Sequence, residues 1–262
     1  MIPQPAILTL PKRDPPVAAA MPETTGLIRL GEAQADAWLG GGLKADGVHE
    51  ALGTGGGDDA AALGFLLLLA ERKRRQGLAQ AVIWAREERL AAKPYGPGLV
   101  ELGFDPATIT LLLLPDGLSV LRAGLDALRH GGASVLIDLS AKARHYDLTA
   151  SRRLALAAQE SGALALVLRP TGAGSSVAHT RWQVAPAPSQ ALEGQAPGQT
   201  AFALTLLRQR GGREGLTSIL EWNRDDGAFT KPQLMGQKTP LFGAHYAVAA
   251  GRARDTRRAS AR

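Results

Sequence analysis

Gly53, Gly55, Gly56 and Gly57 fall in the stretch ALGTGGGDDAAALGFLLLL, which begins at Ala51 and runs from a short apolar segment into a helical pattern. A glycine run in that setting is how a chain builds a phosphate cradle. The backbone N–H groups of the loop and of the following helix N-terminus converge on an anion. A nucleoside triphosphate needs the spacing G-x-x-x-x-G-K-[ST], where the lysine neutralises terminal phosphates and the hydroxyl holds magnesium. Laid on Gly53, that frame puts Asp58 at the second glycine, Asp59 at the lysine and Ala60 at the hydroxyl, and sliding it by one residue recovers no lysine. Two carboxylates would repel a triphosphate by about several kcal/mol in a poorly solvated site. The residues therefore favour a turn followed by a helix, with Asp58 or Asp59 as the cap, over a nucleotide cradle.

Other residues that could do chemistry lack partners at useful spacing. Asp138 ends the apolar run SVLID, where a magnesium-binding aspartate of the Walker B type would sit, but the lysine and hydroxyl it works with are missing. Glu87 and Glu88 follow AVIWAR at another strand exit and read either as a general base or as solvated loop charges. His49, His130, His145, His179 and His245 show no metal-ligand spacing, and His130 before two glycines reads as a helix C-terminal cation. The chain has no cysteine, which excludes disulfides and thiolate metal sites, and no G-x-S-x-G elbow for a serine hydrolase. These residues point away from an enzyme, and no cofactor or metal is expected.

Nucleic-acid chemistry has a few footholds. ERKRRQ at residues 71–76 could touch phosphates, although a solvated helix end matched to the dipole explains it more simply. Arg152 and Arg153 head a helix, where the dipole disfavours cations, so they are candidates for a contact with DNA or a partner. Trp38, Trp84, Trp182 and Trp222 are scattered and form no base-stacking platform. The final segment GRARDTRRASAR sets Arg252, Arg254, Arg257, Arg258 and Arg262 against Asp255 alone, and so holds most of the net charge of +6. Such a tail seeks phosphate or an acidic partner, or merely solubilises the chain.

Positioning these residues requires a recognisable order of elements. GVHEAL reads as a strand into the glycine loop, and DDAAALGFLLLLAERKRRQG as a helix ended by Gly77. AQAVIWA and ATITLLLLP read as strands, GLSVLRAGLDALRHGG as an amphipathic helix, and ASVLIDLS as a buried strand. TASRRLALAAQESG reads as a helix capped by Thr149 or Ser151, and ALALVLRP as a further buried strand. Solid apolar strands alternating with helices predict an α/β fold, with a mostly parallel twisted sheet flanked by helices. After Pro170, HTRWQVAPAPS, TAFALTLLRQRGG and SILEWN read as antiparallel strands at the C-terminal edge of that sheet.

The expected organisation is an extended Pro/Ala-rich lead-in at 1–25, one α/β domain at 26–230, and a basic tail without fixed structure at 231–262. With 262 residues, 45% of them hydrophobic, the chain can bury a full core. The longest apolar runs are too short to span a bilayer and no signal-peptide pattern opens the chain, so a cytoplasmic, non-membrane protein is expected.

The order and wording of these blocks resemble a RecA recombinase core, and more specifically the ImuA family of RecA-like accessory proteins from bacterial mutagenesis cassettes. The matching phrases are LGGGLKADGVHEALG, YGPGLVELGFDP, DLTASRRLALAAQESGALALVLRP, TRWQVAPAPS and LTLLRQRGGREG followed by EW, spread over roughly residues 26–230. The resemblance implies a role in SOS-induced, error-prone translesion synthesis and damage-induced mutagenesis. It also implies partners: ImuB, an inactive Y-family polymerase relative; RecA; and, indirectly, an error-prone DnaE-type polymerase. Nucleoid association under DNA damage and DNA contact through the basic tail belong to the same expectation. Glu87 then sits where the recombinase keeps its catalytic glutamate, while Gly53–Ala60 and Asp138 are degenerate relics of a nucleotide site. Two other readings stay open, a SulA-like inhibitor of cell division and an ATPase with an unconventional, metal-bridged loop.

Overall fold

The computed structural model describes residues 26–55, 57–90, 94–139, 145–169, 174–189, 196 and 198–232. The lead-in at 1–25, Gly56 of the glycine loop, and Arg252, Arg254, Arg257 and Arg258 of the basic tail lie outside the described residues.

Eleven strands are described: β1 (Leu27–Ile28), β2 (Leu43–Lys44), β3 (Val48–Gly53), β4 (Ala81–Glu87), β5 (Ile109–Leu114), β6 (Ala133–Asp138), β7 (Leu164–Leu168), β8 (Thr180–Pro186), β9 (Ala201–Gln209), β10 (Thr217–Asn223) and β11 (Ala228–Thr230). The helices are α1 (Ala33–Trp38), α2 (Asp59–Arg75), α3 (Gly96–Glu101), α4 (Gly117–His130) and α5 (Leu148–Ser161), with a 3-10 turn at Pro106–Thr108. Nine strands form one sheet in the order β11-β10-β9-β8-β3-β7-β6-β4-β5, and β1 pairs with β2 separately.

Helices cover both faces of the sheet, so its central strands carry no polar side. All residues of β6 and β7 are buried. One core layer packs Phe65 and Leu66 of α2 against Trp182, Phe202 and Phe229. The Phe65 ring lies 5.6 Å from those of Trp182 and Phe229. The opposite layer joins α4 and α5, through Val120, Leu128 and Leu154, to Val135, Ile137 and Val167.

The predicted parallel centre is present, with β3, β4, β5, β6 and β7 all parallel. The antiparallel edge begins one strand later than expected. β8 runs parallel to β3, with Ala51 opposite Trp182, and antiparallel pairing starts between β8 and β9. The segment between Leu168 and Thr180 returns the chain to the opposite end of the sheet, as a parallel crossover must. α1, α3, β1, β2 and β11 have no counterpart in the sequence reading, being too short for their periodicity to register.

Two helix caps differ from expectation. α5 is capped by Asp147, whose carboxylate accepts from the Ala150 N–H at 2.8 Å. Thr149 and Ser151 lie inside the helix, and the Ser151 hydroxyl donates to the Leu148 carbonyl. Asp58 holds the cap position of α2 with helical backbone angles, but its side chain makes no capping bond to a backbone N–H. Its carboxylate takes the Thr54 hydroxyl instead.

Candidate functional site

The parallel strands β3, β4, β6 and β7 deliver their carboxyl ends to one side of the sheet, the usual place for a ligand in an open α/β fold. The glycine loop, Glu87 and Asp138 all sit at those ends.

The glycine loop is tight. The Asp58 N–H donates to the Gly55 carbonyl at 3.1 Å, folding the loop on itself before α2 begins. A Cβ on Gly53 would come within 2.8 Å of the Asp59 nitrogen and 2.9 Å of its carboxylate oxygen. The helix start, Asp59 included, therefore closes directly onto the strand end. Gly55 and Gly57 adopt φ of 139° and 120°, which only glycine takes up readily. Asp58 and Asp59 are half-buried and Ala60 is exposed. The donor set does not fit a triphosphate. No lysine or hydroxyl faces the anion position from the start of the helix, and two carboxylates stand there.

The two strand-end acids are paired with cations of the chain itself. Asp138 is 1% exposed, and Arg86 Nε lies 3.7 Å from its carboxylate. These two residues are register partners on β4 and β6. The Arg86 guanidinium also lies over the Trp84 ring, 5.4 Å from its centroid. Glu87 is buried and accepts from Arg89 Nε at 2.5 Å, whereas Glu88 is exposed. Among the described residues no group of three or more His, Asp and Glu side chains could hold a metal ion.

A buried ionic cluster lies just below, and sequence reasoning missed it. Glu50, in the middle of β3, accepts from Tyr146 Oη at 2.6 Å, Arg169 Nη1 at 2.7 Å and Arg181 Nε at 2.8 Å. Burial alone would raise the carboxyl pKa. Hydrogen bonds from Ser176 and Tyr146 and the two guanidiniums overcome it and hold the pKa below the ordinary value. The same burial, with the Glu50 charge beside it, pushes the Tyr146 phenol well above its usual range. The available signal was a glutamate, next to His49, inside a buried central strand.

The basic run at 71–76 is engaged in contacts within the protein. Glu71 is fully buried and takes two bonds from Arg74 and one from Arg75, all at 2.7–2.9 Å. Arg72 donates to the carbonyls of Arg29 and Gly227, and Arg75 to those of Asp225 and Gly103. Lys73 is buried against the carbonyls of Ala45 and Gly162. The end of α2 thus clamps distant segments together.

Two surfaces remain open. Arg152 and Arg153 are exposed on α5, and Leu148 (38% exposed) and Leu156 (59%) lie four residues either side of Arg152 on the same helical face. At the sheet edge, β5 shows Leu111 and Leu113 to solvent and bears no charge along its length, with exposed Tyr95 and Val100 on the segment leading to it. Natural edge strands are normally blunted by lysine, proline or a covering element. The opposite edge, β11, has three residues followed by Lys231 and Pro232. No helix among the described residues is long and apolar enough to cross a membrane.

Comparison with known proteins gives the arrangement a context. No family model matches the chain. A crystal structure of the RadB recombinase superposes on 79% of this chain and on 100% of its own, with a TM-score of 0.53 at 13% identity, which establishes a RecA-like fold. The protein named ImuA from Caulobacter vibrioides, in strains NA1000 / CB15N and ATCC 19089 / CIP 103742 / CB 15, is 34% identical over 212 residues, spanning 73% of this chain and 82% of the relative. With that identity over most of both sequences, on a RecA-like scaffold, this chain belongs to the ImuA family.

Proposed function

We propose that the chain is a non-catalytic adaptor of error-prone translesion DNA synthesis, acting in the SOS-induced mutagenic response. In this reading it binds an ImuB-type inactive polymerase relative and RecA. An error-prone DnaE-type polymerase is reached indirectly, and the arginines of the tail assist at DNA near the nucleoid. The observation that carries the reading is the closure of the ancestral nucleotide end. Asp59 replaces the phosphate-binding lysine and folds against Gly53, and Arg86 neutralises Asp138. In this reading a RecA-like body keeps its value as a docking scaffold without seating a triphosphate.

The α5 face and the β5 edge support protein partners over bare DNA. Each combines exposed leucines with few or no charges beyond Arg152 and Arg153, whereas DNA phosphates call for cations alone. The test is a pull-down of the full chain with purified ImuB-type protein and with RecA, repeated on a variant lacking residues 233–262. Retention of at least one partner is expected, and failure to retain either overturns the reading.

A further inference from the structure

A cleft of about 820 Å3 opens at the end of the sheet opposite the glycine loop. Parallel strands β3 and β8 start there and antiparallel β9 ends there, so His49, His179, Thr180, Gln209 and Arg210 all reach it. Its size falls in the range of sites that enclose a drug-sized molecule.

The floor of the cleft is fixed. His49 Nε2 donates to the Lys44 carbonyl at 2.8 Å, which leaves Nδ1 to accept from the Thr180 hydroxyl at 2.7 Å. That hydroxyl oxygen in turn accepts from Trp182 Nε1 at 2.9 Å. This chain of bonds holds the Lys44 backbone at the rim, and the bond from Lys73 holds Ala45 beside it.

The rim is electropositive and half apolar. Lys44 and Arg210 stand on it with His179, and the one acid is Asp46, 3.5 Å from Lys44. Among the described residues no carboxylate pairs with Arg210. Burial depresses the His179 pKa, and the charges of Lys44 and Arg210 depress it further, against the opposing charge of Asp46. Half-buried Leu27 supplies an apolar wall, backed by the buried Leu39 and Leu43.

We propose that this cleft binds a short acidic peptide segment, seating a carboxylate among Lys44, Arg210 and His179 and an aliphatic side chain against the wall at Leu27. A phosphate ion would leave the apolar wall uncovered, and a nucleobase would find no large aromatic ring in the lining, only the half-buried His179 and the Arg210 guanidinium. The site is separate from the glycine-loop end and does not depend on which partner docks on α5 or β5.

The test is fluorescence anisotropy of a fluorescein-labelled pentapeptide, Leu-Glu-Leu-Asp-Leu, titrated with the full-length chain. Saturable binding is expected, at least tenfold weaker for the neutral analogue Leu-Gln-Leu-Asn-Leu and for the double variant Lys44→Glu/Arg210→Glu. The His179 imidazole protons, followed by NMR, should titrate at higher pH with the acidic peptide bound. Four results would each overturn the proposal: no binding, equal binding of the neutral peptide, indifference to the charge reversals, or displacement by equimolar inorganic phosphate. Binding that emerges only after deletion of residues 1–25 would also overturn it, by identifying the chain itself as the occupant.

Discussion

Arg86 and Asp138 face each other across adjacent parallel strands, with 3.7 Å between guanidinium nitrogen and carboxylate oxygen, and both are almost wholly buried. In a nucleotide-driven relative of this fold the aspartate at that strand end would serve a metal ion. Here the counter-charge comes from the neighbouring strand. Removing the guanidinium takes a counter-charge away from a buried carboxylate, a change that costs about 3 kcal/mol in buried pairs. Arg86→Met should therefore lower the urea midpoint sharply, and Arg86→Met/Asp138→Leu should recover much of the loss. An Arg86→Met variant as stable as the parent would show that the pair does not hold the strand ends.

The glycine loop makes a second prediction. Calorimetry with ATP and magnesium should register no binding to the parent chain. Asp59→Ala alone should not create it, because that change removes a repulsion without supplying the lysine. Asp58→Gly/Asp59→Lys/Ala60→Thr restores the full phosphate-loop spacing from Gly53 and should give measurable, weak binding. Heat of binding in the parent that disappears in Asp59→Ala would favour a metal-bridged ATPase.

His49 gives stability a pH dependence well away from that end. Burial is the main cause that lowers its pKa from 6.5 to about 4; the hydrogen bond to the Lys44 carbonyl opposes the shift, and the charges of His179 and Lys73 reinforce it. Because the folded value lies below the unfolded one, its contribution is complete above pH 6.5 and is lost as pH falls towards 4. Between pH 7 and 5 the unfolding free energy should drop by about 2 kcal/mol, with His179 adding in the same direction. His49→Gln should flatten most of that slope in urea titrations at the two pH values. An unchanged slope would exclude the imidazole as its source.

The legibility of this chain follows the distance over which each feature is built. ASVLID and ALALVL announce buried parallel strands by themselves, since nearly continuous apolar runs are what a strand covered on both faces requires. The glycine loop was equally plain, and so were its missing lysine and hydroxyl. ERKRRQ was legible only in part because its contacts lie elsewhere. The carbonyls that fix Arg72 and Arg75 come from Arg29, Gly103, Asp225 and Gly227, which no local pattern connects to them. The Glu50 cluster and the rim of Lys44, His179 and Arg210 are hidden for the same reason, each being assembled from strands far apart in the chain.

That run carries its own test. If the end of α2 is a clamp, Arg72→Ala and Arg75→Ala should each destabilise the domain by about 1 kcal/mol or more, since each removes charge-assisted bonds to backbone carbonyls. Neither should change affinity for single-stranded DNA or its dependence on salt. A loss of DNA binding at unchanged stability would return the run to the nucleic-acid reading.

The α5 face separates partner docking from folding. Arg152→Glu and Leu156→Asp alter exposed positions, so the thermal midpoint should stay within the effect of about 0.5 kcal/mol usual for surface changes. Leu148, Arg152 and Leu156 lie on one stripe, and a partner that covers it would bury both leucines around the guanidinium. The double variant should then retain the ImuB-type protein or RecA at least tenfold more weakly in the pull-down. Leu113→Lys places a blunting charge on the uncharged edge of β5 and reports on that surface independently. If Leu113→Lys abolishes retention while the α5 variant keeps it, the partner adds to the sheet edge. If both variants retain both partners at the parent's level, neither exposed leucine surface is the docking site.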